Sequence, residues 1–344
     1  MEKNNFYNYT FNKLVNFLIN HKIKQYVGQQ LFNWIYKNDK IDFNKMINIS
    51  KTTRSSLNNL FYFDHLEIKK ILNDSETIKF LFKLSDGNII ETVVMSFNYG
   101  HSICISTQVG CNMGCKFCAS GCKKKVRDLT CGEIVLQYLE ANRYCKNKFQ
   151  QKINNIVLMG IGEPFDNFQN VLNALDTFIN KYGLGIGARH ITISTCGIVD
   201  KIIPFAKLMP HVNLAISLHA PNNNLRSKLM PINNLWPLEK LINECKKYFT
   251  LTKRRLTFEY ILLEGINDNI DNAKQLIKLL KGLTCYVNLI PYNETYLNDF
   301  KRSKNVNEFC NFLNKNGLLA TIRLERGASI SAACGQLRIQ QYDK

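Results

Sequence analysis

The chain has 344 residues, enough for one large α/β domain with a smaller accessory domain, and it can bury a full core without disulfide staples. It carries 45 Lys and Arg against 27 Asp and Glu, a formal net charge of +18 that favours a polyanionic partner such as nucleic acid. No apolar run approaches the roughly 20 residues that span a bilayer, and the N-terminal residues lack the apolar core of a secretory signal, so we expect a cytoplasmic protein without membrane association.

The first 60 or so residues have apolar side chains at helical spacing, which predicts a small helical module. From residue 78 to 94 the pattern changes to alternation around the turn Ser85-Asp86-Gly87, which is typical of a β-hairpin. We therefore predict an N-terminal helical accessory domain at 1–75, a linking hairpin at 76–96 and a main domain at 97–344. The apolar residues that carry the helical spacing are Phe11, Leu14, Val15, Leu18, Leu31, Phe32 and Ile35.

From about residue 101 the chain repeats a rhythm of strand followed by helix. The predicted strands are 101–107, 154–159, 189–194, 212–218, 255–262 and 284–290. The predicted helices are 132–145, 168–182, 198–208, 237–249, 270–281 and 304–316. Six such βα units predict an α/β fold in which a parallel sheet curves into a partial, TIM-like (β/α)6 barrel.

Chemically unusual segments follow five of these predicted strands. They are CNMGCKFC, MGIGEP, STCG, SLHAP and NLIPYN. Active-site residues of parallel α/β folds cluster on the loops that leave the carboxyl ends of the strands. All five segments should therefore meet on one face of the barrel.

Cys111, Cys115 and Cys118 form the pattern C-x3-C-x2-C in a loop that also contains Gly110 and Gly114. Cytosolic cysteines are kept reduced, so these are more plausible as metal ligands than as a disulfide framework. Three thiolates can hold three irons of a [4Fe-4S] cluster and leave the fourth open to chelate S-adenosylmethionine (SAM). A structural zinc site is the alternative, with Cys122 as a fourth sulfur.

Motifs spread along the chain make this interpretation more specific. They are IETVVMS at 90–96, CISTQVGCNMGCKFCASG at 104–121, VRDLTCGEI at 126–134, VLMGIGEP at 157–164, ISLHAPNNNLRSKLMPIN at 216–233, VNLIPYN at 287–293 and AACGQL at 332–337. With them the chain resembles the radical SAM superfamily and, within it, the RlmN family of adenine carbon-2 RNA methyltransferases. The resemblance runs from about residue 76 to 340 and is weaker before that.

The resemblance implies a fold, cofactors and an activity. The fold would be a partial radical SAM barrel, and the cofactors a [4Fe-4S] cluster and two molecules of SAM per turnover. The activity would be methylation of adenine 2503 of 23S rRNA and adenine 37 of tRNA at carbon 2. The protein would act as a monomer and receive electrons from a donor such as flavodoxin.

The same resemblance assigns chemistry to three residues outside the cluster motif. Cys334 would carry the methyl group, Cys104 would resolve the covalent adduct as a disulfide forms, and Glu91 would accept the proton that the base loses. The plainer interpretations are that both cysteines are small buried hydrophobes and that the hairpin glutamate is solvated. The other cysteines are interpreted as structural: Cys122, Cys131, Cys145, Cys196, Cys245, Cys285 and Cys310.

The resemblance also implies which residues contact SAM. They are Gly162, Glu163, Ser194, Ser217, Leu218, His219 and Asn293. A carboxylate such as that of Glu163 suits the SAM ammonium group, and glycines permit close approach. The strand-end polar residues could instead be simple caps.

RNA contacts are less specific, because phosphate binding needs only positive charge in suitable places. One basic run, Lys123, Lys124, Lys125 and Arg127, follows the cluster motif. A second comprises Lys253, Arg254 and Arg255. Both could equally be solvated loops, and a lysine-rich genome could account for part of the charge. The N-terminal helical module is our candidate for binding the RNA that surrounds a flipped-out base.

Two residues depart from the family pattern. Ser329 stands where the family commonly carries Asp, which could alter how the Cys334 loop is tethered, and Cys122 adds a thiol that could bind the wrong metal. Two alternative functions remain: a methyltransferase that acts on carbon 8 of the same rRNA adenine, and a non-catalytic, metal-stabilised RNA-binding protein.

Overall fold

The computed structural model of the protein describes residues 2–122, 124–295 and 298–337. Its N-terminal part is helical, as predicted. The elements there are β1 (Asn4–Asn5), α1 (Phe11–Asn20), α2 (Tyr26–Phe32), α3 (Lys51–Leu60) and β2 (Phe61–Tyr62). Side chains of Thr10 and Ser50 cap α1 and α3 by accepting hydrogen bonds from backbone N–H groups of their first turns.

The remaining strands begin at residue 67. They are β3 (Glu67–Asn73), β4 (Thr77–Lys83), β5 (Ile89–Phe97), β6 (Gly100–Cys104), β7 (Gln108–Val109), β8 (Arg127–Asp128), β9 (Ile153–Leu158), β10 (Ile191–Thr195), β11 (Asn213–Ser217), β12 (Leu256–Leu262), β13 (Cys285–Pro291) and β14 (Ala320–Ile322). Within the described residues, ten of them form one sheet in the order β14-β13-β12-β11-β10-β9-β6-β5-β4-β3. Neighbours from β6 to β14 are parallel, and those from β3 to β6 are antiparallel.

Helices separate the parallel strands. They are α4 (Cys131–Phe149), α5 (Phe168–Ile179), α6 (Val199–Leu208), α7 (Asn223–Leu229), α8 (Leu238–Thr252), α9 (Ile270–Leu280) and α10 (Val306–Lys315). The six predicted βα units are therefore confirmed. In the part of the chain that the structure describes, β14 and β3 lie at opposite edges of the sheet without pairing, so the barrel is partial.

The predicted hairpin is formed by β4 and β5, whose last ladder pair before the turn is Lys83 with Ile89. Its strands are not isolated from the main domain, because β5 pairs with β6 and extends the parallel sheet. The domain limits at 75 and 96 remain predictions.

The helical N-terminal part packs against α4. The Gly132 N–H donates to Asn8 Oδ1 at 2.9 Å, and a Cβ at Gly132 would lie 2.8 Å from that oxygen. Arg143 adds an ion pair with Asp39 at 2.6 Å. Since α4 follows the cysteine-rich loop, these contacts fix the N-terminal helices relative to that loop.

Among the described residues, no helix combines the length and the apolar character that a bilayer-spanning segment needs.

Candidate active site

The three cysteines of the C-x3-C-x2-C motif lie in the loop that follows β6 and β7, and all three line one cavity at the carboxyl ends of the parallel strands. Gly114, with φ of +65°, supplies a left-handed turn between the first two cysteines. The Lys116 N–H donates to the Leu229 carbonyl at 2.9 Å, which ties the loop to the end of α7. We call this cavity the inner cavity.

The donor set of the inner cavity fits an iron–sulfur cluster. Burial raises the pKa of Cys111 to about 12 and raises the pKa of Cys115 and Cys118 as well, so their thiolates form only when a cation binds. No three His, Cys, Asp or Glu side chains of the described residues converge closely enough to hold a single metal ion. A cluster requires no such convergence, because each thiolate binds a different iron.

Two residues of the sequence analysis lie outside this description. The side chain of Cys122, the fourth sulfur of the zinc alternative, is not among the described side chains. Lys123, from the first basic run, is outside the described residues altogether.

The wall of the inner cavity also contains five of the seven expected SAM contacts. Those that line the inner cavity are Gly162, Glu163, Ser194, Ser217 and His219. Leu218 is fully buried behind the wall, and Asn293 lines a neighbouring cavity instead. The expected contacts thus come together in space, although their roles remain predictions.

Glu163 is the buried carboxylate of this wall. It accepts hydrogen bonds from the N–H groups of Phe165 at 3.0 Å and Cys196 at 2.8 Å, while burial raises its pKa. Gly162 precedes it with φ of +105°, and a Cβ there would lie 2.6 Å from the side chain of Gln108. The glycine therefore lets this turn pass close to Gln108, whose Oε1 accepts from the Glu163 N–H at 2.9 Å.

His219 has a left-handed backbone, with φ of +57°. Its Nδ1 accepts a hydrogen bond from the Ile261 N–H at 3.0 Å, and its ring lies edge-on to Phe117 at 4.7 Å between centroids. Burial, with a smaller contribution from the Arg226 charge, lowers the pKa of His219 to about 3. The imidazole is therefore neutral at physiological pH.

A second cavity adjoins the inner one, and we call it the outer cavity. It is lined by Cys104, by Val93 and Met95 of β5, by Asn293 and by Cys334. Cys334 lines both cavities, together with Cys118. The methyl-carrier candidate thus lies between the cluster cysteines and the resolving-thiol candidate.

The disulfide expected from the resemblance is not present. All eleven cysteines whose side chains are described are free thiols, Cys104 and Cys334 included. Burial raises the pKa of Cys104 to about 12, so this thiol is protonated at physiological pH. The structure therefore has the two cysteines in the reduced form, sharing one cavity.

Sequence reasoning missed an ion pair in this region. Arg323, just after β14, lines both cavities, and its Nη1 lies 3.8 Å from Glu259 Oε2. Asn288 Nδ2 donates to the same carboxylate oxygen at 2.9 Å. Glu259 could have been identified from the sequence, because it is the one charged residue of the mostly apolar strand β12 and stands between Phe258 and Tyr260. The sequence around Arg323 carries no comparable signal.

Glu91, the expected proton acceptor, is buried with only 1% of its surface exposed and is not solvated. Its Oε1 lies 3.2 Å from the ammonium group of Lys79, which also donates to the Ser331 carbonyl at 3.0 Å. Glu91 is not among the residues that line either cavity. It shares one face of β5 with Val93 and Met95, which do line the outer cavity, because alternate strand residues point the same way.

The two basic runs differ in how much of their charge is paired. Lys125 forms ion pairs with Asp166 at 2.7 Å and Asp128 at 3.3 Å, and Arg127 pairs with Asp86 and Glu133. Lys124 is exposed, as are Lys253 and Arg255 in the second run, while Arg254 donates to Asn213. The second run is therefore the more available to a polyanion.

Comparison with known proteins gives matches over nearly the whole chain. Residues 4–63 match the ribosomal RNA large subunit methyltransferase N-terminal domain, and residues 105–277 match the radical SAM superfamily. A probable dual-specificity RNA methyltransferase RlmN of Malacoplasma penetrans is 50% identical over 99% of this chain and 97% of its own length. One with the same description from Spiroplasma citri is 50% identical over 93% of each chain. A crystal structure of a radical SAM methyltransferase from Sphaerobacter thermophilus superposes with a TM-score of 0.91 at 40% identity, covering 98% of this chain and 99% of that one.

Proposed function

The chain belongs to the RlmN family of radical SAM RNA methyltransferases, and from that membership we propose that it methylates carbon 2 of an adenine through a methylated cysteine. The observation that carries the proposal is the place of Cys334, which lines both the cavity of the cluster cysteines and the cavity of Cys104. A methyl carrier has to meet both the radical source and the resolving thiol. The non-catalytic alternative is dropped, because this family consists of enzymes.

In this proposal the residues of the inner cavity hold the cofactors. Cys111, Cys115 and Cys118 would bind three irons of a [4Fe-4S] cluster, and the Glu163 carboxylate would bind the SAM ammonium group. When bound, cluster and SAM together supply an electron and a 5′-deoxyadenosyl radical that abstracts hydrogen. Ser194, Ser217 and the neutral His219 would complete the SAM wall, with Leu218 behind it and Asn293 beside Cys334.

Cys334 would react twice. Its sulfur would take a methyl group from one SAM, and the S-methyl group would then lose a hydrogen atom in the chemistry of a second SAM. The resulting carbon radical would add to carbon 2 of the base. Asn293 Nδ2 donates to the Cys334 carbonyl at 3.4 Å and would help to hold the carrier in place.

Release of the product would require a base and a second thiol. Glu91 would take the proton from carbon 2, and the one electron that the adduct must lose could pass to a bound cluster. Cys104 would then lose its thiol proton and attack the Cys334 sulfur, forming a sulfur–sulfur bond and breaking the bond from sulfur to the transferred carbon, which takes up a proton to become the methyl group. Val93 links the two groups, because it pairs with Cys104 in the sheet and lies two residues from Glu91 on β5.

We propose adenine 2503 of 23S rRNA and adenine 37 of tRNA as the targets. The description of the relatives as dual-specificity RNA methyltransferases supports two RNA classes. A monomer reduced by a flavodoxin-like donor in the cytoplasm would suffice, with the N-terminal helices and the run at Lys253 and Arg255 contacting RNA. The carbon-8 methyltransferase is the alternative, and the sequences GIGEP and SLHAPNNN, which resemble those of the carbon-2 enzymes more closely, favour carbon 2.

An anaerobic assay tests this function. Iron-reconstituted protein would receive reductant, SAM with a labelled methyl group and an unmodified 23S rRNA fragment, and nucleosides would be read by mass spectrometry. We expect 2-methyladenosine from wild type, none from Cys334→Ala, and a covalent protein–RNA adduct from Cys104→Ala. Cys310→Ala, a buried cysteine outside both cavities, is the control and should behave as wild type. Labelled product from Cys334→Ala would refute the carrier role, and 8-methyladenosine would support the alternative.

A further inference from the structure

Arg226, in the last turn of α7, has a completely buried side chain. Its Nη2 donates to the carbonyls of Cys196 at 2.7 Å and Ser217 at 3.1 Å, and its Nε donates to the Leu218 carbonyl at 3.1 Å. Nη1 donates to the side-chain oxygen of Asn233 at 3.2 Å. The guanidinium thus links the ends of β10 and β11, and the backbone that it holds together forms part of the wall of the inner cavity.

The charge of this guanidinium has no carboxylate partner among the described residues. Other cations near the site do have one, since the buried Lys79 pairs with Glu91 and the partly exposed Arg323 with Glu259. The carbonyl and amide dipoles around Arg226 solvate the charge but carry no net charge themselves. Burial lowers its pKa, yet an arginine pKa starts so high that the group stays protonated. A buried charge without a counter-charge is costly, which points to an anion that binds nearby.

The nearest place for such an anion is the inner cavity. Cys196, whose carbonyl accepts from Arg226, lines that cavity beside Cys115. The end of α7 also accepts the hydrogen bond from Lys116 in the cluster loop. The end of the helix that carries Arg226 is therefore packed against the loop that would hold the cluster.

We propose that Arg226 supplies the buried positive charge that balances the thiolate-bound [4Fe-4S] cluster and raises its reduction potential. The inference rests on the proposed function for the existence of the cluster. Three thiolates give the cluster a net negative charge, and reduction makes that charge more negative by one electron. A fixed positive charge in a low-dielectric interior stabilises the reduced state more than the oxidised state. Arg226 is a positioning residue in this role, because it acts on the cluster through space.

The test is an anaerobic redox titration of the reconstituted holoprotein, with the reduced cluster followed by electron paramagnetic resonance and the iron content measured in parallel. The variants are Arg226→Met, which removes the charge at similar length, and Arg226→Lys, which keeps it. We expect a shift of the midpoint to more negative potential in the methionine variant and a near-native midpoint in the lysine variant. Arg143→Met, which removes an arginine outside both cavities, is the control and should leave the midpoint unchanged.

An unchanged midpoint in a fully loaded Arg226→Met protein would overturn the inference, as would an equal shift in Arg226→Lys. If the methionine variant takes up no cluster, Arg226→Gln, which keeps amide donors for the carbonyls, replaces it under the same criterion. The titration needs no RNA, so an enzyme inactive on adenine but with the expected shift would contradict the proposed function alone. A wild-type protein that binds no iron would overturn both.

Discussion

The Ser329 hydroxyl donates a hydrogen bond to Asp74 Oδ2 at 2.9 Å, joining residues that are 255 positions apart. Two further contacts run beside it, an ion pair between Arg326 and Glu76 and the hydrogen bond from Lys79 to the Ser331 carbonyl. Residues 326–337, which we call the Cys334 segment, are thus docked on the turn between β3 and β4 and on β4 itself. The expectation that Ser329 affects the tether of Cys334 now has a specific partner.

Ser329→Asp should loosen the Cys334 segment. The substitution removes the hydroxyl donor and places a second carboxylate against Asp74, so a hydrogen bond worth about 1 kcal/mol is replaced by repulsion. We expect hydrogen exchange in peptides of the Cys334 segment to become roughly fivefold faster or more. The double variant Asp74→Ser with Ser329→Asp exchanges donor and acceptor and should recover protection. Equal exchange in wild type and Ser329→Asp would show that this contact does not hold the segment.

Lys79→Met should destabilise the protein strongly. It removes the ammonium group that lies 3.2 Å from the buried Glu91 carboxylate, and breaking a buried pair from one side costs about 3–5 kcal/mol. Denaturant unfolding measures the loss. Lys83→Met is the matched control on the same strand, because Lys83 pairs with Glu67 on the surface and its removal should not change the unfolding midpoint. A Lys79→Met protein as stable as wild type would mean that the pair contributes no stability.

Gly162→Ala should weaken SAM binding by about tenfold or more, which corresponds to a loss of about 1.4 kcal/mol of binding free energy. The new Cβ would lie 2.6 Å from Gln108, and the turn that presents Glu163 would have to move. Equilibrium binding of SAM to the reconstituted protein measures the effect. Gly265→Ala, also at positive φ but with no atom within 4 Å of the new Cβ, separates backbone strain from the clash and should retain SAM affinity. Equal affinities in the two variants would argue against the close approach.

His219 should make stability depend on pH. Its pKa of about 3 in the folded state lies below the value of about 6.5 expected when unfolded, so unfolding takes up a proton between these limits. Stability therefore falls as pH drops below about 6.5, by about 1.4 kcal/mol between pH 7.5 and 5.5 from this group. His219→Asn, which can still accept from the Ile261 N–H, should reduce that loss. Parallel pH profiles of the unfolding midpoint for both proteins would contradict the burial of a neutral imidazole.

Most of the barrel is readable from the sequence, because buried parallel strands are short apolar runs and the helices between them are amphipathic. β12 and β13 fall within one residue of their predicted bounds at both ends. The sequence analysis did not predict β3, because most of its seven residues are exposed at the sheet edge. It did not predict β14, because that strand has only three residues. Both strands are stabilised by hydrogen bonds to a neighbouring strand, which a local pattern of apolar residues does not reveal.

The candidate site divides in the same way. The cluster cysteines are readable because all three lie in one loop, where spacing alone carries the chemistry. Arg226 and Lys79 are not, since a cation in a polar stretch is ordinarily solvated and only the folded packing makes it buried. The free state of Cys104 and Cys334 was also unreadable, because a sequence does not record whether a pair of thiols is reduced.

Two hydrogen bonds between residues far apart in the sequence close the candidate site, and they bear on the order in which the protein folds. Ala119 N–H donates to the Gly335 carbonyl at 2.7 Å and Ser120 Oγ donates to the Leu337 carbonyl at 2.6 Å, each across more than 200 residues. Contacts of such sequence separation carry a large loop-closure entropy, so we expect them to form late in folding. The three cluster cysteines lie within eight residues of each other, so their approach needs little of the fold, whereas that of Cys334 needs most of it. We therefore expect the methyl-carrier candidate to join the site only after the sheet between it and the cluster cysteines has formed.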